Sequence, residues 1–383
     1  MGLMVTRIFA PESAAASLRL KVVRDALTKA GHTMRVITTK PGKPFTPDPL
    51  IKRLPVLRRD GYVKGYASYL SFDLQAFAHL LVGRRPDFLL VEPPPTTGVV
   101  ARLAARVRRV PYFWYAADVW SDATESMAVP QVVKSAVRAM ESFAISGARG
   151  VIAVSEDVAQ RARALGAKDV RVVPNGADTD TFNLQVEPVS HQRRAQVGIT
   201  KPYFLYAGTA SVWQGADIFA RAAAQLEGAQ LLYLARGESL SEVEKIAAQV
   251  RAEHPQRDYC TIVVHPLVDA EEAAAWQRGA KACLVSIQPA VGYDFAYPTK
   301  VLTSLACGTP VLYAGAGPAG EEIRRDQLGR AVDYDVNALA EAMKEMLTET
   351  YDGERLHQWV VENRSMQATG AAVAQYIAER TNG

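Results

Sequence analysis

Cysteine is scarce, with only Cys260, Cys283 and Cys307 in 383 residues. Their spacing matches no zinc motif, and an odd count argues against a disulfide framework. A reducing cytoplasm suits such a chain. The six histidines (His32, His79, His191, His254, His265 and His357) include no pair at i,i+4, so no helical metal motif is present. No apolar run approaches the roughly eighteen residues of a spanning helix. The apolar stretch from Leu3 to Ala10 is interrupted by Arg7 and precedes no small-residue cleavage site; it reads as a buried first strand rather than a signal peptide. A Gly-x-Ser-x-Gly elbow and a Walker A loop are absent, which removes the common serine hydrolases and P-loop nucleotidases. There is no internal repeat and no low-complexity tract.

What is present is a globular composition, 49% hydrophobic and 22% charged, on a chain long enough for two domains. The net charge of +4 is unevenly spread. Residues 1–190 carry 26 Lys and Arg against 17 Asp and Glu, a balance of +9; the remainder carries 18 against 23, a balance of −5. The basic excess includes Lys52, Arg53, Arg58, Arg59, Arg84, Arg85, Arg106, Arg108 and Arg109. Such a half can meet an anionic membrane or a phosphate-bearing acceptor, or can simply be a solvated surface. Nothing points to nucleic acid: the aromatic run Tyr112–Tyr115 lies in a predicted central strand.

Short apolar runs alternate with amphipathic segments. Strands are expected at 3–9, 34–38, 87–91, 112–116, 150–154 and 170–173, with helices at 15–30, 69–82, 97–108, 132–147 and 156–165 between them. The pattern restarts with strands at 203–207, 230–234, 261–264, 282–286 and 311–313 and helices at 216–226, 241–253, 270–279, 299–307 and 336–347. Strand–helix alternation of this kind predicts an α/β chain of two tandem, doubly wound parallel sheets. The polar stretch 183–201 reads as a linker, and 352–380 as helix with Gly370 as its weak point. The expected domains are therefore 1–190, 195–355 and a C-terminal helix, 356–383, packing back on the first domain. Two such units make a cleft, and open parallel sheets take ligands beyond the carboxyl ends of their strands.

Two motifs point elsewhere. Gly315, Gly317 and Gly320 form Gly-x-Gly-x-x-Gly, but after about the fifth strand of its unit and not the first, so a tight ligand-side loop is expected rather than a dinucleotide site. Asp178-Thr179-Asp180 follows the turn-forming Pro174-Asn175-Gly176 and reads as turn chemistry rather than a metal site.

Five segments, in order, resemble the retaining GT-B glycosyltransferases of family 4, and within them the subgroup that builds O-antigen and related surface glycans. They are Phe9-Ala10-Pro11-Glu12 with Arg19 and Gly31-His32; Ala117-Asp118-Val119-Trp120; Val154-Ser155-Glu156 with Pro174-Asn175-Gly176-Ala177-Asp178 and Phe182; Tyr206-Ala207-Gly208-Thr209 with Gln214-Gly215; and Pro298-Thr299-Lys300 leading to Cys307-Gly308-Thr309-Pro310. The resemblance implies a GT-B fold and metal-independent transfer of a hexosyl group, with retention, from a nucleotide-diphosphate sugar to a lipid-linked or glycan acceptor. It implies no cofactor, since the nucleotide sugar is a substrate, and a cytoplasmic enzyme, at the inner face of the membrane if it docks there. Gly208, Thr209, Gln214, Pro298, Thr299, Lys300 and Thr303 would hold the donor, Glu12 and Arg19 the acceptor. Asp118, Lys300 and Asp294 are the candidate catalytic groups, with Asp122 and Glu125 competing for the role of Asp118. Physics supports part of this: the first-turn N–H groups after Pro298 attract phosphate, and a lysine there is unusual unless an anion is near.

The chain departs from the family where an E-x7-E pair is expected. Phe295 and Thr303 occupy the two positions, with Asp294 one residue away as a possible substitute. Two other readings therefore stand beside transfer: a catalytically degenerate GT-B subunit that binds a nucleotide or a partner protein, and a sugar-nucleotide epimerase, for which the carboxylate and histidine pairs are not found.

Overall fold

The computed structural model describes all residues except 13, 14, 43, 58, 61, 64, 65, 126–128, 254–260, 292, 295, 382 and 383. The candidate position Phe295, together with Cys260, His254 and Arg58, lies outside the described residues, as does the side chain of Glu125. The chain divides into two compact units, Met1–Asn175 with Met366–Gly383, and Gly176–Ser365.

The first unit is built on β1 (Gly2–Val5), β2 (Met34–Thr39), β3 (Ile51–Leu54), the short hairpin β4 (Arg59–Asp60) and β5 (Tyr62–Val63), then β6 (Phe88–Val91), β7 (Tyr112–Ala116), β8 (Gly150–Ala153) and β9 (Val170–Val172). Its helices are α1 (Ala15–Lys29), α2 (Tyr66–Val82), α3 (Pro95–Arg108), α4 (Trp120–Glu125), α5 (Gln131–Ser146) and α6 (Glu156–Ala164). Seven strands pair in parallel in the order β3-β2-β1-β6-β7-β8-β9. The continuous burial of strands such as Tyr112–Ala116 follows from helices covering both faces.

The second unit contains α7 (His191–Val197), β10 (Tyr203–Thr209), α8 (Asp217–Ala223), β11 (Gln230–Arg236), α9 (Leu240–Glu253), β12 (Thr261–His265), α10 (Ala270–Arg278), β13 (Ala282–Ser286), α11 (Thr299–Ala306), β14 (Val311–Ala314), α12 (Pro318–Arg325), β15 (Gly329–Val332), α13 (Val336–Thr348) and α14 (Gly353–Asn363). Its sheet is also parallel, in the order β12-β11-β10-β13-β14-β15. These are the two Rossmann-like units expected from the alternation. Each strand order reverses once, between β1 and β6 and between β10 and β13. Those reversals are the topological switch points where such sheets open a crevice.

Several details differ from the sequence reading. Strands β3 and β15 and helix α12 were not expected, because their segments are short and only partly buried. The polar stretch 183–201 contains α7, capped by the Ser190 hydroxyl accepting from the Arg193 N–H. The change of unit falls earlier, at Asn175–Gly176. The C-terminal segment breaks at Arg364–Ser365 and not at Gly370. There the Ala177 N–H donates to the Arg364 carbonyl (2.7 Å) and the Arg364 guanidinium to Glu322 (2.7 Å), which holds this turn in the second unit. Gly370 lies inside α15 (Met366–Thr381), where the absence of a side chain lets the helix sit against Val22 and Ala26 of α1. Helix α15 belongs to the first unit. Thr369 donates to the Pro174 carbonyl (2.8 Å), Arg380 pairs with Asp169, and Tyr376 packs edge-on against Phe113.

One charge pair is sealed inside the first unit. Arg7, following β1, donates to Asp73 of α2 (2.8 Å) and to Thr96 (2.9 Å), and Thr97 donates to the other Asp73 oxygen (2.7 Å). The two side chains are 5% and 1% exposed, so removing one strands the other charge away from water. Asp73→Ala should destabilise the unit by roughly 3 kcal/mol, read as a lowered urea midpoint with little change in the denaturant slope.

Candidate nucleotide-sugar site

At the second switch point, two loops leave β10 and β13 side by side. The first, 210–215, is a single 3-10 turn closed by a capping box. Ser211 and Gln214 satisfy each other, and the Gln214 carboxamide oxygen accepts from the Ser211 N–H (3.2 Å) and from the Tyr206 hydroxyl (3.1 Å). The second loop runs from Ile287 to Pro298. Ser286 donates to the Gln214 carbonyl (2.6 Å) and the Gln288 N–H to the Trp213 carbonyl (2.9 Å), while Trp213 stacks on Tyr293 with centroids 4.7 Å apart. These contacts fasten the loops together. Gln214 is buried, and its side-chain oxygen shapes the loop.

Asp294 serves its own loop in the same way. Its carboxylate accepts from the N–H of Ala290 (3.3 Å), a non-glycine residue held at φ 60°. Gly317, at φ 99°, passes so close that a Cβ there would stand 2.1 Å from the Asp294 carbonyl oxygen. The glycine pattern after β14 therefore serves close packing against the second loop, where the sequence reading expected backbone to approach a ligand.

Helix α11 begins beside these loops. Pro298 occupies its N-cap without a side-chain cap, so the first-turn N–H groups have no capping side chain. Lys300 sits in that turn. Its ammonium lies 3.8 Å from the centroid of the Tyr206 ring and donates to the Thr209 carbonyl (3.3 Å). Gly208 has φ 117°, and a Cβ there would make only ordinary contact with the Lys300 side chain, 3.8 to 3.9 Å away, so the backbone conformation rather than space calls for glycine. Burial pushes the ammonium down to about 7, and among the described residues no carboxylate beside it holds its charge. A positive charge, partly desolvated, thus stands at the positive end of a helix. Thr299 is exposed next to it. Thr303, one turn on, donates to the Lys300 carbonyl (3.2 Å) and accepts from Gln277 (3.4 Å). Gly208, Thr209, Pro298, Thr299, Lys300 and Thr303 are thereby brought together, with Gln214 and Asp294 as supports of the two loops.

The first unit places its own candidates at the β1/β6 switch point. Glu92, just after β6, is buried; its carboxylate accepts from the Thr6 hydroxyl (2.8 Å) and pairs with Arg19 (2.8 Å). Burial raises the Glu92 carboxyl above the usual range against the pull of Arg19 and Thr6, and Asp118 is near enough to add to that rise. Arg19 also reaches Asn175 (3.4 Å) and lies over the Tyr115 ring (5.1 Å). Much of its guanidinium is therefore engaged within the unit, although its Nε has no partner. Glu12 lies near Arg53, whose charge it favours. Asp118, beyond β7, is exposed, while Asp122 pairs with Arg161 (3.0 Å).

Glu92 was missed as a candidate. The signal was available: it is a charged residue directly following an apolar strand, at the edge where open parallel sheets meet ligands. The Asp178 carboxylate of the D-x-D triplet accepts from the Asp180 N–H (3.1 Å) and the Thr181 hydroxyl (2.7 Å), which is turn capping. Among the described residues, no three His, Cys, Asp or Glu side chains come together in a group able to hold a metal ion.

Known proteins agree with this architecture. Residues 17–176 match the family described as glycosyl transferase 4-like domain, and residues 201–349 match glycosyl transferases group 1. The chain belongs to the family 4-like glycosyltransferases of the GT-B fold. Among solved structures it is similar to sucrose-phosphate synthase from Thermosynechococcus elongatus, at 19% identity and a TM-score of 0.71, with 99% of this chain and 98% of that one covered. It is also similar to HepE of Anabaena in complex with UDP and glucose, at 14% identity, 99% of both chains and a TM-score of 0.67. WaaG, a glycosyltransferase involved in lipopolysaccharide biosynthesis, follows at 12% identity, 98% and 99% coverage and a TM-score of 0.65. At these identities the likeness is one of fold. No curated protein matches the sequence at a significant level.

The depressed Lys300 ammonium has a pH signature. The ordinary value is 10.5 and the folded value about 7, so between them the unfolded chain binds more protons and this residue's contribution to stability rises with pH. As pH falls from about 10 to about 7, the urea midpoint of the native chain should drop relative to that of Lys300→Met. Parallel midpoints across that window would remove the desolvated lysine from the account.

Proposed function

We propose that this glycosyltransferase moves a hexosyl group from a nucleotide-diphosphate donor to a lipid-linked or glycan acceptor in the cytoplasm, with retention of configuration and without a metal ion. The observation that carries the reading is Lys300: an ammonium with no carboxylate beside it among the described residues, seated in the uncapped first turn of α11 beside Gly208 and Thr209. Such a charge calls for an anion, and a diphosphate fits the set of donors. As the bond from the anomeric carbon to the phosphate oxygen breaks, charge grows on the leaving diphosphate. Lys300, the Thr299 hydroxyl and the first-turn N–H groups stabilise it. The acceptor hydroxyl forms the new bond on the face the phosphate leaves, and Asp118 takes up its proton. Arg19 and Glu12 serve the acceptor, Arg19 being oriented by Glu92.

HepE has been solved with UDP and with UDP-glucose, which makes uridine diphosphate the first donor probe. One observation favours a second reading. Thr303 stands where the resembled family carries a glutamate, and its hydroxyl is engaged with the Lys300 carbonyl and Gln277. A degenerate subunit would bind the nucleotide and transfer nothing.

A thermal-shift screen against nucleoside diphosphates and their sugars should show stabilisation by one base in preference to others. Lys300→Ala should weaken that ligand roughly tenfold or more. An unchanged affinity would take Lys300 out of the site. Release of nucleoside diphosphate only when acceptor is added distinguishes transfer from binding alone. Asp118→Asn should then lower kcat while leaving donor affinity unchanged, and equal turnover would assign the proton to another group.

A further inference from the structure

Helices α2, α3 and α5 form one layer, with α3 between the other two, and the short α4 packs on α5. The buried positions of α5 are Val137, Glu141, Ala144 and Ile145, the i, i+4, i+7, i+8 stripe of a core-facing helix. A glutamate in such a stripe needs partners that take up its charge. Glu141 is fully buried, and among the described residues no basic side chain is paired with it. Its partners are backbone instead. One carboxylate oxygen accepts from the N–H of Trp120 and the other from the N–H of Ser121, both at 2.8 Å. Burial raises the Glu141 carboxyl above the usual range, against the pull of the Ser121 hydroxyl and these two amides.

Those two amides open α4. The first amides of a helix have no partner within it, and an Asp, Asn, Ser or Thr side chain just before the helix ordinarily caps them. Here the preceding residue is Val119, which has no side-chain acceptor. Asp118, one residue earlier, is placed in the chain to fold back onto them. Glu141 reaches in from another helix and fills that place. Asp118 is left exposed, with no hydrogen bond to its carboxylate among the described residues. The turn that carries it is fixed on both sides. Before it, the Ala117 N–H donates to the Tyr115 carbonyl (3.0 Å) at the end of β7. After it, the Trp120 ring meets Tyr69 of α2 edge-on (6.3 Å), and the Arg7 guanidinium lies 4.0 Å from the centroid of that Tyr69 ring. The competing carboxylate Asp122 is engaged by Arg161 (3.0 Å).

We propose that Glu141 is a positioning residue for Asp118. By capping α4 from α5 it fixes the turn Ala117-Asp118-Val119 and leaves the Asp118 carboxylate free for the acceptor hydroxyl. The inference rests on the reading of Asp118 as the group that takes up the acceptor proton. Glu141 acts through the backbone alone. Without its oxygens, two amides at the start of α4 lack an acceptor, and the Asp118 side chain turns back to satisfy them. A carboxylate engaged in this way is withdrawn from a substrate hydroxyl, so the loss falls on the chemical step and not on donor binding, which belongs to the other unit.

The test has two arms on the full chain, with Glu141→Gln as the near-isosteric variant. Glu141→Asp is the second variant, keeping the charge while withdrawing the oxygens by one methylene; circular dichroism reports that both are folded. In the first arm Asp118 is labelled with a carbodiimide and glycine ethyl ester and read by mass spectrometry. Both variants should label Asp118 several-fold more slowly, while exposed carboxylates of the second unit label at the native rate. The Trp120 and Ser121 amides should exchange with deuterium roughly tenfold faster or more. Labelling of Asp118 at the native rate or faster in both variants overturns the proposal. The second arm is a double-mutant cycle read as UDP release from UDP-glucose with octyl glucoside as acceptor. Glu141→Gln and Asp118→Asn should each lower kcat roughly tenfold or more, with the donor KM unchanged, and the double variant should be no slower than Asp118→Asn. Losses that multiply overturn the proposal, since Glu141 would then act other than through Asp118. Native turnover by Asp118→Asn with slowed labelling in the Glu141 variants sinks the proton assignment alone. Slow turnover by Asp118→Asn with native labelling sinks the role of Glu141 alone.

Discussion

Parallel pairing of every strand in both large sheets is the constraint from which the rest follows. In a parallel sheet all strands end at one edge, so the loops that follow them collect there. Each connection must cross back over a face, which places helices on both sides and buries the strands throughout. Where the order of crossings reverses, neighbouring loops leave in opposite directions and a crevice opens. Charged groups perturbed by burial stand at both reversals: Glu92 with Arg19 and Thr6 in one unit, and Lys300 with Tyr206 and Thr209 in the other.

The two sites are held by different means. In the first unit, charged groups are locked to each other: Arg7 with Asp73, Arg19 with Glu92. Buried pairs of this kind contribute little net stability but fix geometry closely, because either partner alone would be stranded. In the second unit, backbone carries most of the arrangement. Ser286 and Gln288 hold the 210–215 loop by its carbonyls, Gly317 passes against the Asp294 backbone, and Pro298 starts a helix whose N–H groups point outward without a cap. Lys300 stands apart as a buried charge with no carboxylate beside it among the described residues.

The first unit also sorts its side chains by burial. Its strand ends gather the charged candidates, while the α2–α3–α5 layer turns arginines and leucines outward from one face. The basic excess of this half is accordingly of two kinds. Some arginines, such as Arg7, Arg19 and Arg108, are spent on internal partners; others, such as Arg106 and Arg138, are exposed.

The sequence by itself determined the elements and their type. Apolar runs of four to seven residues alternating with amphipathic helices can only close as parallel sheets covered on both sides. The pattern placed Tyr112–Ala116 and Ala282–Ser286 to the residue. It also singled out Lys300 and Pro298, since a lysine at an uncapped helix start is legible as local chemistry. Only the tertiary structure decided the rest, because burial and pairing link residues far apart in the chain. Nothing local shows that Glu92 is buried on Thr6 and Arg19, that the Gln214 and Asp294 side chains are turned to their own loops, or that the C-terminal segment breaks at Arg364 where Ala177 and Glu322 hold it. The same holds for the arginines: composition counts them equally, and only packing separates those spent inside from those left facing outward.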